Sequence, residues 1–574
     1  MNELPWIKSY PPDIRWDAEI HTMPVYGLLD AAAAHRPDSY ALEFNEKKIS
    51  YRELQDLVDR AAKGLQQLGV GPGVHVGLYL PNTPHYVIAF FAILKAGGTV
   101  VNYSPLDAEQ VLAHKIDDSA TDIIVTLDWI SLYPLMDRLR GHARLRHLVI
   151  GNLGEMSASS DTTQATLRAA RQLSEVAWGE ACSSFEQLID NDGRYRPVPI
   201  SDLDETIAVL QYTGGTTGMP KGAMLTHANL GAACSQAMLN TGGADGLQYG
   251  EERFLGVLPL FHIYALTFNM LLAIRIAARL ILHTRFEVER AIKEITEKKV
   301  TVLFGVPTMY TAINGFADIV NFDLSTLKLC SSGGAPLPIE VHERFQQLSG
   351  RALKEGWGMT EVCGVGTATP HAAEARVGAC GIPLCGVTIR FLSVDDPASY
   401  VAYGERGEVC IAGPNVMKGY WKNPDATAAT MTADGFLRTG DVGYMDQDGY
   451  LHIVDRIKDM ILCSGFNVYP RNIEEAIYKH PSVAEVIVIG IHDEYRGEAP
   501  KAFIKLKDDA AAFTLDELKI FLKNALGKHE MLQAMEIRDA LPKTAVGKLS
   551  KKELYEEEKG ALAPSVAAGA TQFA

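Results

Sequence analysis

Residues 75–105 read HVGLYLPNTPHYVIAFFAILKAGGTVVNYSP. The apolar run HVGLYLP (75–81) reads as a buried strand, VIAFFAILKAGG (87–98) as a helix ending in glycine, and TVVNYSP as a second strand. Strand, helix and strand in that order predict parallel pairing under a helical cover. Just upstream, SYRELQDLVDRAAKGLQQLGV (50–70) places Leu54, Leu57, Val58, Ala61, Leu65 and Leu68 at helical spacing. That helix opens on a Ser50/Glu53 capping box and stops at Gly69.

The rhythm returns downstream. VERAIKEITEKKV (288–300) reads as a helix, TVLFGVP (301–307) as a buried strand, LKLCSSGGAPLP (327–338) as a strand entering a glycine turn, and EVHERFQQLSG (340–350) as a helix. Segment 151–200, rich in Ser, Thr and Ala, breaks the rhythm and is expected to be an insertion or a mobile connection. From about residue 459, strands AEVIVIGI (484–491) and KAFIKLK (501–507) flank short helices such as TLDELKIFLKNAL (514–526), capped by Thr514 and Glu517. A small α+β domain is expected there.

At 574 residues the chain exceeds one ordinary core, so two or more domains are expected. A formal charge of −16 argues against a general nucleic-acid binder, whose surface must be basic. It leaves room for a small anion held by a few local cations. The eight cysteines form no CxxC pair and read as reduced thiols. The N-terminus carries acidic residues and prolines rather than a basic start and an apolar core, and the apolar run 265–282 is interrupted by Arg275 and Arg279. A cytoplasmic protein is the expectation.

Residues 212–227, YTGGTTGMPKGAMLTH, turn the reading toward chemistry, because seven of the ten residues from Gly214 to Ala223 are Gly, Thr or Lys. Glycines let backbone N–H groups approach an anion, threonines add donors, and Lys221 supplies a mobile cation, so a nucleotide phosphate fits. A Walker A loop does not. Lys221 lies between Pro220 and Gly222, without the Gly-Lys-Ser/Thr junction.

Five further segments share this polar, glycine-punctuated character: PLFHIYAL (259–266), SSGGAPLP (331–338), GWGMTE (356–361), TGD (439–441) with DRIKDMILCSGFNVYP (455–470), and PKTAVGK (542–548). In this order and spacing they resemble the adenylate-forming superfamily of acyl-CoA synthetases, luciferases and peptide-synthetase adenylation domains, over residues 25–558. QYTGGTTG, PLFHIYALT, VDRIKDMIL and SGFNVYP are most similar to the bacterial long-chain fatty-acyl-CoA synthetases.

The resemblance implies an α/β fold. A large N-terminal domain of doubly wound sheets with a small β-barrel subdomain (1–457) would precede a mobile α+β domain (458–560) hinged at Lys458, with a disordered tail (561–574). It implies Mg²⁺ as cofactor, with ATP and CoA as co-substrates. Thr213, Thr216, Thr217 and Lys221 would hold the β- and γ-phosphates, Thr360 the α-phosphate, and Glu361 with Thr213 the metal. Gly333, Gly334 and Ala335 would lie along the adenine and the acyl carbonyl. Trp357 would stand against the adenine where many relatives carry Tyr, and Asp441 with Arg456 would take the ribose. His262 would sit beside the substrate carboxylate, and Lys548 would neutralise charge in the first step. Rotation at Lys458 would then bring Ser464 and Gly465 toward CoA.

The implied reaction makes acyl-AMP and pyrophosphate, then acyl-CoA and AMP. No Asp stands between Phe254 and Thr284, where amino-acid-activating relatives carry one, so an uncharged acid is favoured, and the resemblance implies a medium- or long-chain fatty acid. The alternative is an aryl, alicyclic or pimelate-like dicarboxylic acid, the last drawing on Arg275 and Arg279. A non-catalytic relative would be expected to lose Lys221, Glu361, Asp441 or Lys548, and all four are present. Acetylation of Lys548 by a protein lysine acetyltransferase, a homodimer and a peripheral contact with the inner membrane are left as open expectations.

Overall fold

The structure is a computed structural model that describes residues 4–142, 144–213, 219–242, 246–464, 466–508, 510–544 and 547–562. The chain forms two compact units. The first comprises Met1–Arg390, Cys410–Thr439 and Met445–Leu451; the second comprises Phe391–Val409, Gly440–Tyr444 and His452–Ala574.

The first unit is built on two large sheets. One has nine strands in the order Ile382–Pro383, Thr367–Ala368, Lys354–Trp357, Leu329–Gly333, Val302–Gly305, Arg253–Gly256, Arg279–Leu282, Tyr40–Phe44, Lys47–Ser50. Its centre is parallel, and its antiparallel pairs fall at the two ends. The other has eight strands in the order Gly419–Tyr420, Lys221–Thr226, Ile207–Thr213, Thr99–Asn102, His75–Leu78, Ile123–Leu127, His147–Gly151, Cys182–Ser184. The strand–helix–strand unit read at 75–105 lies in its middle, with His75–Leu78 parallel to Thr99–Asn102 and the connecting helix Pro84–Lys95 wholly buried. That helix starts three residues earlier than its apolar run because Pro84 suits the first helical turn. The capping box of Ser50 and Glu53 opens Tyr51–Gln67 as read, and Gly69 follows its end at φ +86°.

Segment 151–200 is more ordered than its composition suggests. The helix Ser160–Ala169 and the capped helix Phe185–Ile189 form there, and Cys182–Ser184 adds a parallel edge strand to His147–Gly151. Leu153, Met156, Phe185 and Leu188 are among its buried apolar residues, and their burial outweighs the surrounding polar residues.

A third sheet, with strands in the order Tyr400–Val401, Thr388–Leu392, Gly407–Ala412, Leu437–Met445, Leu451–Arg456, corrects the expected small β-barrel. Its two end strands do not pair, so no barrel closes among the described residues. An edge strand of two residues offers too short a ladder to close one.

In the second unit Val483–Asp493 and Gly497–Leu506 form a long antiparallel hairpin, extended by Ile461–Cys463 and Phe466–Val468 on one side and by the parallel strand Ala534–Ile537. One face packs the helices Pro470–Tyr478 and Leu515–Leu522 through Ile473, Ile477, Leu518 and Leu522. On the other, Ile487, Ile489 and Phe503 gather Leu541 and Leu554, which seats the chain on both flanks of Lys548. The terminal helix Lys552–Leu562 runs two residues past the start of the expected tail, whose remainder lies outside the described residues. Among the described residues no helix is long and apolar enough to cross a membrane.

Candidate active site

In the first unit the strands leave glycine and polar residues at their C-terminal ends, where ligands of open α/β sheets bind. Gly305, Gly333 and Gly356 lie on three adjacent strands of the nine-stranded sheet, with Gly333 in register with Gly356. A Cβ on Gly333 would come within 3.2 Å of the Tyr264 ring, so only glycine leaves that ring in place. Gly334 follows at φ +79° and is exposed, and Ala335 is half-buried. Trp357 ends the next strand, buried, with its indole 3.0 Å from where a Cβ on Gly366 would stand.

The chain then folds sharply. A Cβ on Gly358 would lie 2.4 Å from the Gly364 carbonyl oxygen, an approach only glycine permits. The tight turn Thr360–Val362 sits in that fold, held by the Asn415 amide donating to the carbonyls of Val362 (3.1 Å) and Val365 (2.8 Å). Gly358→Ala is expected to cost about 1–3 kcal/mol through overpacking and to displace Thr360 and Glu361. Denaturant unfolding would read the loss, and a midpoint within error of the parent would contradict it.

Glu361 is buried, and its Oε1 accepts a hydrogen bond from the Tyr420 hydroxyl at 2.7 Å. Burial first, and then the adjacent Glu361 charge, push the Tyr420 phenol far above its usual range, so it is a permanent donor. Over the same tyrosine ring, 5.2 Å from its centroid, stands the Lys221 ammonium. Lys221 opens the strand that pairs with Ile207–Thr213, opposite Thr213 itself. One tyrosine therefore links the candidate phosphate cation to the candidate metal carboxylate. Thr216 and Thr217 lie outside the described residues.

His262 caps the short helix Ile263–Ala265, its Nδ1 accepting the Tyr264 N–H at 3.3 Å. Accepting at Nδ1 places the neutral ring's proton on Nε2. The PLFH segment is held by residues that motif reading passed over. The Asn82 amide donates to the carbonyls of Gly256 (3.0 Å) and Leu258 (2.8 Å), while its oxygen takes the Leu260 N–H (2.7 Å). Tyr86 bonds the Leu260 carbonyl and Asn102, and Asn102 bonds Gln211, whose amide reaches the Phe261 carbonyl at 2.9 Å. A buried Asn in PNTP, between a strand and a helix, was the signal available. Arg279, considered for a second substrate carboxylate, instead pairs with buried Glu43 at 3.2 Å.

In the second unit Arg456 Nε lies 2.9 Å from Asp441 Oδ1. Lys548, half-buried, has its pKa lowered to about 8, first by burial and then by the Arg456 cation, with Asp441 opposing. Lys458 is lowered too, again by burial first. Asp441, Arg456, Lys458 and Lys548 thus share one electrostatic neighbourhood. Ser464 takes the left-handed conformation at φ +53° after Cys463, which is in register with Phe466. Gly465 lies outside the described residues.

Residues 29–421 match the family model described as AMP-binding enzyme, and 472–548 match the AMP-binding enzyme C-terminal domain. The chain belongs to the AMP-binding enzyme family. A long-chain-fatty-acid–CoA ligase of Bacillus subtilis is 35% identical to this AMP-binding enzyme over 97% of its length and 98% of its own. A feruloyl-CoA synthase of an Amycolatopsis species is 34% identical over 90% and 96%. Among solved structures, ATP-bound MatB from Rhodopseudomonas palustris superposes with a TM-score of 0.82 at 26% identity, covering 94% of this chain and 100% of that one. O-succinylbenzoate coenzyme A synthetase from B. subtilis, in complex with ATP and magnesium ion, has a TM-score of 0.74 at 25% identity, with the same coverage.

The donors in this AMP-binding enzyme suit a hard divalent ion. Magnesium is held by one or two carboxylates plus substrate phosphates rather than by a full protein cage. Glu361 is such a carboxylate, buried and bonded to Tyr420 beneath the Lys221 ammonium.

Proposed function

We propose that this AMP-binding enzyme is an AMP-forming ligase that converts a medium- or long-chain fatty acid to its CoA thioester. The observation that carries the reading is the Lys221–Tyr420–Glu361 arrangement, which sets a cation and a metal-ready carboxylate together as a triphosphate requires. The substrate class draws on similarity to fatty-acid ligases along nearly the whole chain. It draws also on the buried, uncharged run from Ile263 to Ile274.

In the first step a carboxylate oxygen attacks the α-phosphorus and the bond to pyrophosphate breaks, leaving acyl-AMP. In the second the CoA sulfur, its proton lost, attacks the acyl carbonyl and AMP departs. Thr213, Thr216, Thr217 and Lys221 would grip the β- and γ-phosphates, and Thr360 would donate to the α-phosphate. Bound Mg²⁺, held by Glu361 with Thr213, would neutralise phosphate charge. Gly333, Gly334 and Ala335 leave space for the adenine and the acyl carbonyl, against which Trp357 stacks, while Asp441 and Arg456 take the ribose. His262, through Nε2–H, would orient the attacking carboxylate. Lys548 supplies positive charge where it develops, positioning and charge being the main needs of phosphoryl chemistry. Ser464 and Gly465, with the Lys458 hinge, would serve the thioester step. Acetylation of Lys548 would remove its charge and stop the first step alone.

Pyrophosphate release and thioester formation with ATP, Mg²⁺ and CoA test the reading against C4 to C18 monoacids, benzoate, cyclohexanecarboxylate and pimelate. The largest kcat/KM is expected among the C8 to C18 monoacids. A maximum at a ring acid or at pimelate would overturn the substrate class, and no pyrophosphate with any acid would overturn the enzyme.

A further inference from the structure

The turn that presents Lys548 is fastened on both flanks. The Thr544 N–H donates to the Lys548 carbonyl at 2.7 Å, and the Lys548 N–H donates to Thr544 Oγ1 at 3.2 Å. Lys543 and Leu549 bridge the two arms, and Lys543 Nζ pairs with Glu485 Oε1 at 2.7 Å. On the far arm Lys551 Nζ stands 3.4 Å from Glu474 Oε1, both side chains largely buried. Burial opposes the charge on Lys551, yet Glu474, Asp455 and Asp459 together hold its pKa above the ordinary lysine value.

Those carboxylates are themselves anchored. Glu474 Oε1 accepts the Val488 N–H at 2.8 Å. Asp455 accepts the N–H groups of Arg456 (2.8 Å) and Arg471 (2.9 Å), which joins the segment carrying Arg456 and Lys458 to the start of the helix Pro470–Tyr478. Lys551 is thus a buried cation three residues from Lys548, set among carboxylates of the segment that carries the hinge lysine.

We propose that Lys551 and Glu474 form a positioning clamp for Lys548, tying its turn to the 455–459 segment so that Lys548 keeps register with Arg456 and Asp441. The proposal rests on the role given to Lys548 above. A lysine on an unclamped turn would still carry its charge but would spend little time at the reacting phosphate, and misplacement of about 1 Å can cost about 10²-fold in rate.

The test separates the two half-reactions, pyrophosphate release with a fatty acid and ATP, and thioester formation from supplied acyl-AMP and CoA. Lys551→Met is expected to lower kcat of the first about 10- to 100-fold while the KM for ATP and the second half-reaction stay within about twofold. Lys551→Arg should restore most of the loss, and Lys552→Met, at the exposed neighbouring position, should change neither half-reaction. Equal loss of both half-reactions in Lys551→Met, or no loss in the first, overturns the clamp. Glu474→Gln, which keeps an acceptor for Val488, probes the same pair from the other side and decides the matter should Lys551→Met not fold. Lys548→Ala identifies which premise failed. An intact first step in Lys548→Ala removes the lysine's role, whereas loss there without loss in Lys551→Met removes the clamp alone.

Discussion

Lys548→Ala is expected to reduce pyrophosphate release about 10²- to 10³-fold while thioester formation from supplied acyl-AMP stays within about threefold. The asymmetry follows from where charge develops. In the first step three anionic groups converge, the attacking carboxylate, the α-phosphate and the departing pyrophosphate, and a cation placed there stabilises the transition state more than the ground state. In the second a thiolate attacks the acyl carbonyl rather than phosphorus, and the phosphate gains a single further charge as AMP leaves. Equal loss of both half-reactions would show that Lys548 holds the fold or the nucleotide rather than the transition state.

The same lysine gives a pH signature. Its pKa is lowered to about 8 by burial and by Arg456. The charged form does the work, so kcat/KM of the first half-reaction should fall as pH rises through about 8, and Lys548→Ala should flatten that limb. Bound nucleotide adds negative charge nearby, which should carry the limb upward in kcat relative to kcat/KM. Stability moves the opposite way. Between the folded pKa and the ordinary lysine value the unfolded chain binds more protons, so this group makes the fold more stable as pH rises through that window. An activity limb unchanged by the mutation would assign the titration to another group.

Legibility in the sequence followed the range of the interactions. Parallel strands and their helices were readable because burial writes apolar periodicity locally, as at His75–Leu78, and caps such as Ser50 and Thr514 are local too. Segment 151–200 misled because a few apolar residues scattered among polar ones, among them Leu153, Met156, Phe185 and Leu188, are buried in the fold. The candidate site was legible as motifs, each a short segment with its own turn chemistry. Their support was not. The Asn82–Tyr86–Asn102–Gln211 network reaches from one strand end to another across more than 170 positions of sequence, and Tyr420 meets Glu361 from 59 positions away. Lys551 had the same difficulty, since beside Lys552 it reads as one more surface lysine until the fold places Glu474 against it.

Glu361→Gln should be nearly as damaging as the loss of Lys548, lowering pyrophosphate release about 10²- to 10³-fold with little change in thermal stability. Glutamine keeps the shape of the side chain and an oxygen to accept the Tyr420 hydroxyl, so the tight turn Thr360–Val362 has no reason to move. What disappears is the negative charge, and with it both the attraction for a hard divalent ion and the balance to the Lys221 ammonium above the Tyr420 ring. The deficit should therefore shrink as Mg²⁺ is raised, because weaker coordination is overcome by mass action, whereas a displaced turn would not respond to the ion. Tyr420→Phe supplies the control: it removes the donor but leaves the carboxylate, and a loss of about tenfold or less is expected. If Glu361→Gln instead retained full activity at low Mg²⁺, the metal would have to be held by the nucleotide alone. The buried Glu361–Tyr420 pair would then be a brace for the turn rather than part of its chemistry.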